Sequence, residues 1–367
     1  MKIDSIEQRR YILPLDPPFH ASWDPQPRAS FTSDMVIVHA GEYEGVASGD
    51  PMPGLAGYEH LFIGHDALDL ERHARIVENL SFHFGRMWPL EVALHDLVAR
   101  ARGAPLWRML GGASGRVRVY ASTGARLPID ERVPSVRALR DAGFGAVKLR
   151  FHAVNPAEDI ATVRAVREAV EDTIEIMVDA NQGWRVPGDA SEPWTCETAT
   201  RVARELRELN VYWLEEPLHR HDFAGLADLR RGSGMRIAGG EGARELAELR
   251  TCIEQGSLDV YQPDVAWTTG VIGAMRIAAE VRDAGAMYSP HTWGDGLVLA
   301  ANLHVAAAAS NAPFVEYPYD PPGWSPERRD FMLDRPLRAI DGYVDLGDAP
   351  GLGTPVNWGT LERWRVR

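Results

Sequence analysis

Residues 175–217 read EIMVDANQGWRVPGDASEPWTCETATRVARELRELNVYWLEEP, and this stretch contains the unit from which most of the chain is built. Two short apolar runs, 175–179 and 212–215, flank a segment at 197–209 in which apolar residues recur at helical spacing. A strand, a helix and a second strand in this order predict a βαβ unit with parallel strands. Each of the two predicted strands ends at an acidic residue.

The same alternation of apolar runs and helical segments extends from Val117 to Tyr317. It predicts eight strands, at 117–121, 146–151, 175–179, 212–215, 236–238, 259–262, 286–289 and 314–317. A weak helix is predicted after the eighth strand, at 326–331, and clear helices follow the other seven, at 134–142, 156–170, 197–209, 223–230, 243–255, 271–284 and 297–309. Eight such units favour a (β/α)8 barrel over an open doubly wound sheet.

The beginning of the chain follows a different pattern and predicts an α+β domain. Strand character at 3–13 and 34–48 is followed by helical spacing at 66–83 and 88–102. The segment 14–32, which is rich in Pro and contains His20 and Trp23, is long for a loop and is therefore expected to be functional. The predicted boundaries are 1–115 for this domain, 116–335 for the barrel and 336–367 for a C-terminal segment that packs back on the first domain.

The composition is that of a globular protein, with 45% hydrophobic and 25% charged residues and a formal net charge of -13. The acidic balance argues against nucleic-acid binding, which usually needs a basic patch. No apolar run approaches the length of a membrane span, and the first 15 residues lack the apolar core of a signal peptide. We therefore expect a cytoplasmic protein without a membrane partner. The chain has only two cysteines, which excludes a disulfide framework.

The ends of the predicted strands carry ionisable residues, where barrels of this kind place their catalytic groups. Asp179, Glu215 and Glu241 end three adjacent strands and are expected to converge at the barrel mouth. Three carboxylates this close repel one another unless a cation lies among them. Oxygen ligands select a hard ion, so we predict Mg²⁺, with Mn²⁺ as a substitute. The absence of Cys and His from the set disfavours zinc.

Two further sets of residues at strand ends suggest acid–base chemistry. Lys148 and Arg150 lie two residues apart on the second strand, so their side chains share a face and point into the mouth. His291 follows the seventh strand and would approach from the opposite side. Asp264, after the sixth strand, can bond one imidazole nitrogen and fix the tautomer. His291 is therefore the predicted base.

These residues resemble the enolase superfamily, and within it the mandelate racemase subgroup. The resemblance rests on five motifs in order: PLWRMLGG at 105–112, VDANQ at 178–182, WLEEP at 213–217, GGE at 239–241 and the pair Asp264…His291. It covers nearly the whole chain. It implies an α/β fold in which a TIM-like (β/α)8 barrel is covered by an α+β N-terminal capping domain, completed by the C-terminal segment.

The resemblance also implies roles for the residues at the strand ends. Asp179, Glu215 and Glu241 correspond to the metal ligands, and Asp264 with His291 to an acid–base dyad. Glu316 corresponds to the group that hydrogen-bonds the substrate carboxylate, and Asn181 to a residue that contacts a substrate hydroxyl. The shared reaction is abstraction of the proton α to a carboxylate, through an enediolate held by Mg²⁺.

The chain departs from the subgroup's racemases at one position. Those racemases carry Lys-x-Lys on the second strand, where this chain has Lys148-Leu149-Arg150. Arginine stays protonated and is a poor proton acceptor, so we expect Lys148 and Arg150 to stabilise the enediolate instead. One competent base favours an elimination over a racemisation.

We therefore predict a carbon–oxygen lyase that dehydrates an acid sugar, an aldonate or aldarate, to a 2-keto-3-deoxy acid. A racemase or epimerase and a lactone cycloisomerase are the alternatives, and a catalytically silent metal- and carboxylate-binding protein is a remote one. By the resemblance, segments 17–31 and 50–58 are expected to decide which acid binds. The expected partners are a small carboxylate substrate and further copies of the chain in a homo-oligomer.

Overall fold

The structure is a computed structural model, and it describes residues 1–366. Its strands are β1 (Ser5–Phe19), β2 (Arg28–Ala40), β3 (Tyr43–Gly49), β4 (Arg116–Ser122), β5 (Ala146–Arg150), β6 (Glu175–Asp179), β7 (Val211–Glu215), β8 (Ile237–Gly239), β9 (Val260–Tyr261), β10 (Met287–Tyr288), β11 (Val315–Pro318) and β12 (Tyr343–Asp345). Its α-helices are α1 (Leu70–Phe84), α2 (Trp88–Ala101), α3 (Leu106–Met109), α4 (Ile129–Asp141), α5 (Pro156–Val170), α6 (Cys196–Glu208), α7 (Phe223–Ser233), α8 (Leu246–Gln255), α9 (Gly270–Asp283), α10 (Gly296–Ala308), α11 (Pro326–Arg329) and α12 (Trp358–Leu361).

The eight strands β4 to β11 form one curled parallel sheet, in the order β10-β9-β8-β7-β6-β5-β4-β11. No ladder joins the edge strands β10 and β11. Single hydrogen bonds connect the region of β10 with the segment that leads into β11: the Tyr288 N–H donates to the Asn311 carbonyl at 3.1 Å, and the Ser289 hydroxyl to the Phe314 carbonyl at 2.9 Å. A helix follows each strand. The predicted α/β barrel class is confirmed, and each predicted barrel strand overlaps an observed one.

Alternation along the strands separates an apolar layer from a polar layer inside the barrel. Tyr120, Met177, Trp213 and Phe314 belong to one buried apolar cluster contributed by successive strands. Side chains two positions further along a strand point to the same face, one layer nearer its C-terminal end. That second layer contains polar groups, namely Ser122, Asp179, Glu215 and Glu316.

The N-terminal sheet is antiparallel, in the order β1-β2-β3. The prediction of a loop at 14–32 was wrong, because β1 runs to Phe19 and β2 begins at Arg28, so that only residues 20–27 connect them. Three of the five prolines that suggested a loop, Pro14, Pro17 and Pro18, lie on β1, which is an edge strand, where a missing N–H costs no ladder bond.

The capping sheet and the barrel share buried polar contacts. Asp295 precedes α10 and accepts hydrogen bonds from the Leu297 N–H at 3.0 Å and from the Ser33 hydroxyl of β2 at 2.6 Å. The C-terminal segment contacts both parts: β12 pairs antiparallel with β4, and the Leu106 N–H of α3 donates to the Gly351 carbonyl at 2.8 Å. The domain boundaries given above stay a prediction.

Among residues 1–366, no helix has both the length and the apolar character needed to cross a membrane.

His304 joins three parts of the chain, and we expect it to make the fold acid-sensitive. Its Nδ1 accepts the Trp107 N–H at 2.9 Å, and its Nε2 lies 3.1 Å from the Leu352 carbonyl, so the ring is neutral with its proton on Nε2. Burial lowers the pKa of His304 to about 4, below its unfolded value of 6.5. The unfolded state therefore binds the proton first, and stability should fall as the pH drops from 6.5 to 4, by up to about 3 kcal/mol.

Urea unfolding at several pH values checks this expectation. His304→Gln should show a shallower loss of unfolding free energy between pH 6.5 and pH 4 than the wild type. His83→Gln, which changes an exposed histidine of α1, should keep the wild-type slope. An unchanged slope in His304→Gln would contradict the assignment.

Candidate active site

Three carboxylates meet at the C-terminal ends of β6, β7 and β8. Asp179, Glu215 and Glu241 are all buried, and each contributes one oxygen to a group in which all oxygens lie within 4.8 Å of one another. The arrangement follows from topology, because β6, β7 and β8 are neighbours in the sheet and parallel strands bring their carboxyl ends to one edge. The predicted convergence of these three residues is therefore present in the structure.

Two cationic side chains of β5 neutralise part of this negative charge. The Lys148 Nζ lies 2.6 Å from Glu215 Oε1 and 2.8 Å from Glu316 Oε1, and the Arg150 Nη1 lies 2.6 Å from Asp179 Oδ2. Burial alone would lower the pKa of Lys148, but the carboxylates of Glu215 and Glu316 outweigh it and raise this pKa. Lys148 and Arg150 therefore act as fixed positive charges.

The remaining charge fits a divalent cation. Asp179, Glu215, Glu241 and Glu316 carry four formal negative charges and the two cationic side chains carry two positive charges, which leaves two uncompensated. Burial, followed by the charge of Asp179, raises the pKa of Glu215 to about 8. Glu241 Oε2 is buried without a hydrogen-bond partner. A buried oxygen of this kind is costly unless a ligand satisfies it.

Glu316 is engaged by protein groups. Its Oε1 accepts from the Ser122 hydroxyl at 2.6 Å and from Lys148, and its Oε2 accepts the Thr292 N–H at 2.9 Å. The positive charges of Lys148, His291 and Arg150 hold the pKa of Glu316 well below its usual range against the effect of burial. The side chain does not line the cavity described below, so its contact with a substrate carboxylate stays a prediction.

His291 and Asp264 form a hydrogen-bonded pair across the mouth from β5. His291 Nδ1 lies 3.1 Å from Asp264 Oδ2, while Asp264 Oδ1 accepts from the Ala266 N–H at 2.8 Å and the Asn302 amide at 3.1 Å. The Asp264 carboxylate is thus held in place, and it orients the ring so that Nε2 faces the carboxylates. His291 Nε2 lies 3.7 Å from Glu241 Oε2. Burial alone would lower the pKa of His291, but Glu241, Glu316 and Asp264 raise it to about 9. A cation held by Glu241 would oppose the effect of that carboxylate on the pKa and favour the neutral ring, which is the form that accepts a proton.

A cavity of about 330 Å³ opens above these groups, between the barrel and the capping domain. Its floor includes Arg150, Asn181, Glu241, Asp264 and His291. Its walls are aromatic, with four indole side chains, those of Trp23, Trp184, Trp267 and Trp293. This volume is in the range of small-molecule sites.

Arg150 is held by contacts on several sides. Besides its bond to Asp179, its Nη2 lies 3.2 Å from Glu316 Oε1. Its Cζ lies 4.5 Å from the ring centroid of Trp23 and 5.3 Å from that of Trp293, so the guanidinium sits between two indoles. Two ion pairs and two cation–π contacts keep this group charged and immobile.

Asn181 lines the cavity and has an unusual backbone conformation. Its φ is 49°, a left-handed value that Asn tolerates better than most residues, and its N–H donates to Asp179 Oδ1 at 2.8 Å. Its side-chain Oδ1 has no partner in the structure. The residue can therefore accept a hydrogen bond from a ligand.

Some supporting residues were missed in the sequence analysis. Trp184 donates its indole N–H to Glu241 Oε1 at 2.8 Å, and Gln262 donates its amide to Glu215 Oε2 at 2.8 Å. Glu216 is buried with no partner for either oxygen, and burial, followed by the charge of Glu241, raises its pKa well above the usual value. The position of Glu216 directly after Glu215 could have indicated it in the sequence. The contact of the Trp184 indole could not be predicted, because it depends on the conformation of a loop.

A barrel that gathers three carboxylates, two fixed cations and a His–Asp pair at its mouth defines a class of acid–base enzyme. Residues 131–360 match the family model described as "Enolase C-terminal domain-like". The chain therefore belongs to the enolase superfamily, and within it to the mandelate racemase subgroup, which confirms the resemblance seen in its motifs.

Two similar proteins, and a crystal structure of one of them, illustrate the relationship. The L-talarate/galactarate dehydratase of Salmonella typhimurium is 32% identical over 267 residues. The aligned residues cover 72% of this chain and 61% of that protein, which is less than two thirds of its length. The D-galactarolactone cycloisomerase of Agrobacterium fabrum is 27% identical over 100% of this chain and 99% of its own length. The crystal structure of the Salmonella typhimurium LT2 dehydratase, liganded with Mg and L-lyxarohydroxamate, superposes with a TM-score of 0.84 at 26% identity and covers 100% of this chain and 93% of that chain.

Proposed function

We propose that this protein is a Mg²⁺-dependent acid-sugar dehydratase, which removes the proton α to a carboxylate and expels the β-hydroxyl as water. The observation that carries the proposal is the asymmetry of the mouth. A His–Asp pair faces one side of the cavity, and an immobilised Arg150 faces the other. Acid-sugar dehydratases among the relatives, which act on galactarate, arabinonate and gluconate, support the same reaction class.

Asp179, Glu215 and Glu241 would hold the metal, with Mn²⁺ as the expected substitute for Mg²⁺. When bound, the ion would neutralise the negative charge that develops on the substrate carboxylate. Lys148 lies beneath the cavity, where its ammonium adds fixed positive charge to the same region. Arg150 lines the cavity itself and can donate to a substrate oxygen.

The proton is handled by the His–Asp pair. The C–H bond α to the carboxylate breaks, His291 Nε2 takes the proton, and the electron pair forms the enediolate. Asp264 holds Nδ1 as the donor and stabilises the imidazolium that results. The β C–O bond then breaks, and the imidazolium returns its proton to the departing hydroxyl, which leaves as water. The enol product tautomerises to the 2-keto-3-deoxy acid, and Asn181 is placed to contact a hydroxyl.

A lactone cycloisomerase is the second candidate, because a cycloisomerase relative aligns with the whole chain. It would share the first proton abstraction and differ only in which C–O bond breaks, and an epimerase would instead return the proton to carbon. That the chain forms a homo-oligomer and acts in the cytoplasm on a small carboxylate, without nucleic-acid or membrane partners, also stays a prediction.

One experiment separates these candidates. The protein is incubated with Mg²⁺ in D₂O with a panel of aldonates, aldarates and their lactones, and the products are followed by NMR. A dehydratase forms a 2-keto-3-deoxy acid, a cycloisomerase consumes lactone, and an epimerase gives the deuterated epimer. Absence of both product and α-deuterium across the panel would overturn the proposed function.

The surroundings of Arg150 predict that proton exchange is restricted to one face of the substrate. The wild type should exchange the α-proton of only one of two C2 epimers, that presented to His291, because Arg150 stays protonated. Arg150→Lys could supply a second base and should permit slow exchange of the other epimer. NMR of each epimer in D₂O measures both rates. Equal exchange of both epimers by the wild type would disprove the one-base arrangement.

A further inference from the structure

We infer that the substrate carries a second carboxylate at its far end, and that Arg28 of the capping domain binds it. The inference rests on the proposed function, since it assumes that the reacting carboxylate lies at the barrel floor beside Glu241. The far end of the substrate then faces the capping domain, where Arg28 begins β2 and lines the cavity.

Most hydrogen-bond donors of Arg28 are unused. Its Nε donates to Asp24 Oδ2 at 2.9 Å, and neither of its Nη groups has an acceptor among residues 1–366. The other oxygen of Asp24 accepts the Gln26 N–H at 3.1 Å, so the carboxylate that orients Arg28 is itself held in place. The two Nη groups form one edge of the planar guanidinium and can bind both oxygens of a carboxylate together.

Arg150, the other arginine of the lining, is engaged at each nitrogen. Its Nε donates to the Thr123 carbonyl at 3.0 Å, and its Nη1 donates to Asp179 Oδ2 at 2.6 Å. Its Nη2 lies 3.2 Å from Glu316 Oε1. Arg150 therefore has fewer donors left for a ligand than Arg28 has.

Arg28 lies within reach of a short substrate bound at the floor of the cavity. Its Cζ lies 5.5 Å from the ring centroid of Trp23, and the Arg150 Cζ lies 4.5 Å from the same centroid. Arg28 and a residue of the floor thus share one indole as a neighbour, so a six-carbon chain can extend from the floor to Arg28. The bond to Asp24 and the contact with Trp23 also restrain the guanidinium before a ligand binds, which reduces the entropy cost of binding.

The acidic side chains that the capping side of the cavity presents are occupied by other protein groups. Arg86 Nη1 lies 2.9 Å from Asp50 Oδ2, so the charge of Asp50 is paired. Asp295 accepts the Ser33 hydroxyl at 2.6 Å. Neither carboxylate bonds to the Nη groups of Arg28, which stay available to a ligand.

A terminal carboxylate fits these donors better than a terminal hydroxyl does. Its two oxygens can accept from both Nη groups in a charge-assisted, bidentate pair, whereas a hydroxymethyl group offers one neutral oxygen. The indoles of Trp184, Trp267 and Trp293 exclude part of the water from the cavity, which strengthens such a pair relative to an open surface. Aldarates are therefore favoured over aldonates of the same configuration.

The test compares the binding of configuration-matched pairs of six-carbon aldarates and aldonates, measured by calorimetry with Mg²⁺ present. The His291→Asn protein serves as the parent, so that the bound acid is not consumed. The parent should bind the better aldarate at least about tenfold more tightly than its matched aldonate, because the second carboxylate gains two charge-assisted hydrogen bonds.

Two substitutions at Arg28 in this parent test the residue itself. Arg28→Gln should reduce the ratio of the two affinities by about tenfold or more, through weaker aldarate binding alone. Arg28→Lys keeps the charge but lacks the planar pair of donors, so its ratio should lie between those of the parent and Arg28→Gln. Retained aldonate binding shows that each variant is folded. Arg10→Gln is the matched control, since Arg10 Nε also donates to an aspartate, Asp34, at 2.9 Å but does not line the cavity, and it should preserve the ratio.

The same pairs are incubated with the wild type and followed for α-proton exchange and 2-keto acid, which tests the proposed function separately. The expected binding ratio without any exchange or water elimination would leave the role of Arg28 standing and overturn the dehydratase assignment. Four results would overturn the role of Arg28: equal or tighter binding of aldonates by the parent, an unchanged ratio in Arg28→Gln, an equal loss of both series in Arg28→Gln, or no binding of either series.

Discussion

Replacing His291 with Asn should lower kcat by about 10³-fold or more and remove α-proton exchange, because the variant has no group that can accept the proton. The change keeps a polar side chain of similar size, so Asp264 retains a partner and the fold should persist. Turnover is measured by formation of the 2-keto acid, and exchange by NMR in D₂O. Mg²⁺ affinity, measured by calorimetry, should stay near the wild-type value.

His152→Asn is the matched control for this variant. His152 lies in the loop after β5, with its Nδ1 3.4 Å from Asp159 Oδ1, and it does not line the cavity. His152→Asn should leave the rates of turnover and of α-proton exchange unchanged. Asp264→Asn should impair both rates less severely than His291→Asn, because the imidazole remains but loses its orienting carboxylate. Continued exchange in His291→Asn would move the base to another residue.

Replacing Glu241 with Gln should weaken Mg²⁺ binding by about tenfold or more and reduce kcat by about 10²-fold or more, since one charged oxygen ligand is lost. Glu241 is the sharpest position for this test among the three carboxylates. Asp179 and Glu215 are paired with Arg150 and Lys148, so their removal would leave buried cations uncompensated and would also destabilise the fold.

The Glu241 prediction is checked by calorimetric titration with Mg²⁺ and by activity over a range of Mg²⁺ concentrations. Glu254→Gln, an exposed position on α8, is the control and should behave as the wild type does. Thermal unfolding of the metal-free proteins should show that Glu241→Gln is folded. Full activity of the wild type after chelation would contradict the metal assignment, whatever the variant does.

Much of the fold was predictable because its signals are local. The helix at 156–170 and the strand at 175–179 have the predicted bounds, since a helical period or an apolar run is visible within a dozen residues. The parallel order then brings the strand ends together, which is why Asp179, Glu215 and Glu241 could be expected at one point. The segment 14–32 was misjudged because its five prolines suggest a loop, although the edge strand β1 accommodates three of them.

The sequence thus predicted the barrel and the carboxylate cluster from periodicity and strand order, and it indicated His291 as the base, an assignment that stays a prediction. Three contacts are visible only in the tertiary structure. Two indoles lie around Arg150, protein donors bind the Glu316 carboxylate, and Asp50 is paired with Arg86. These contacts join residues far apart in the chain or in different loops, and no local period encodes them. The charge state of a buried group depends on such neighbours and on exclusion of water, so it follows from packing in three dimensions.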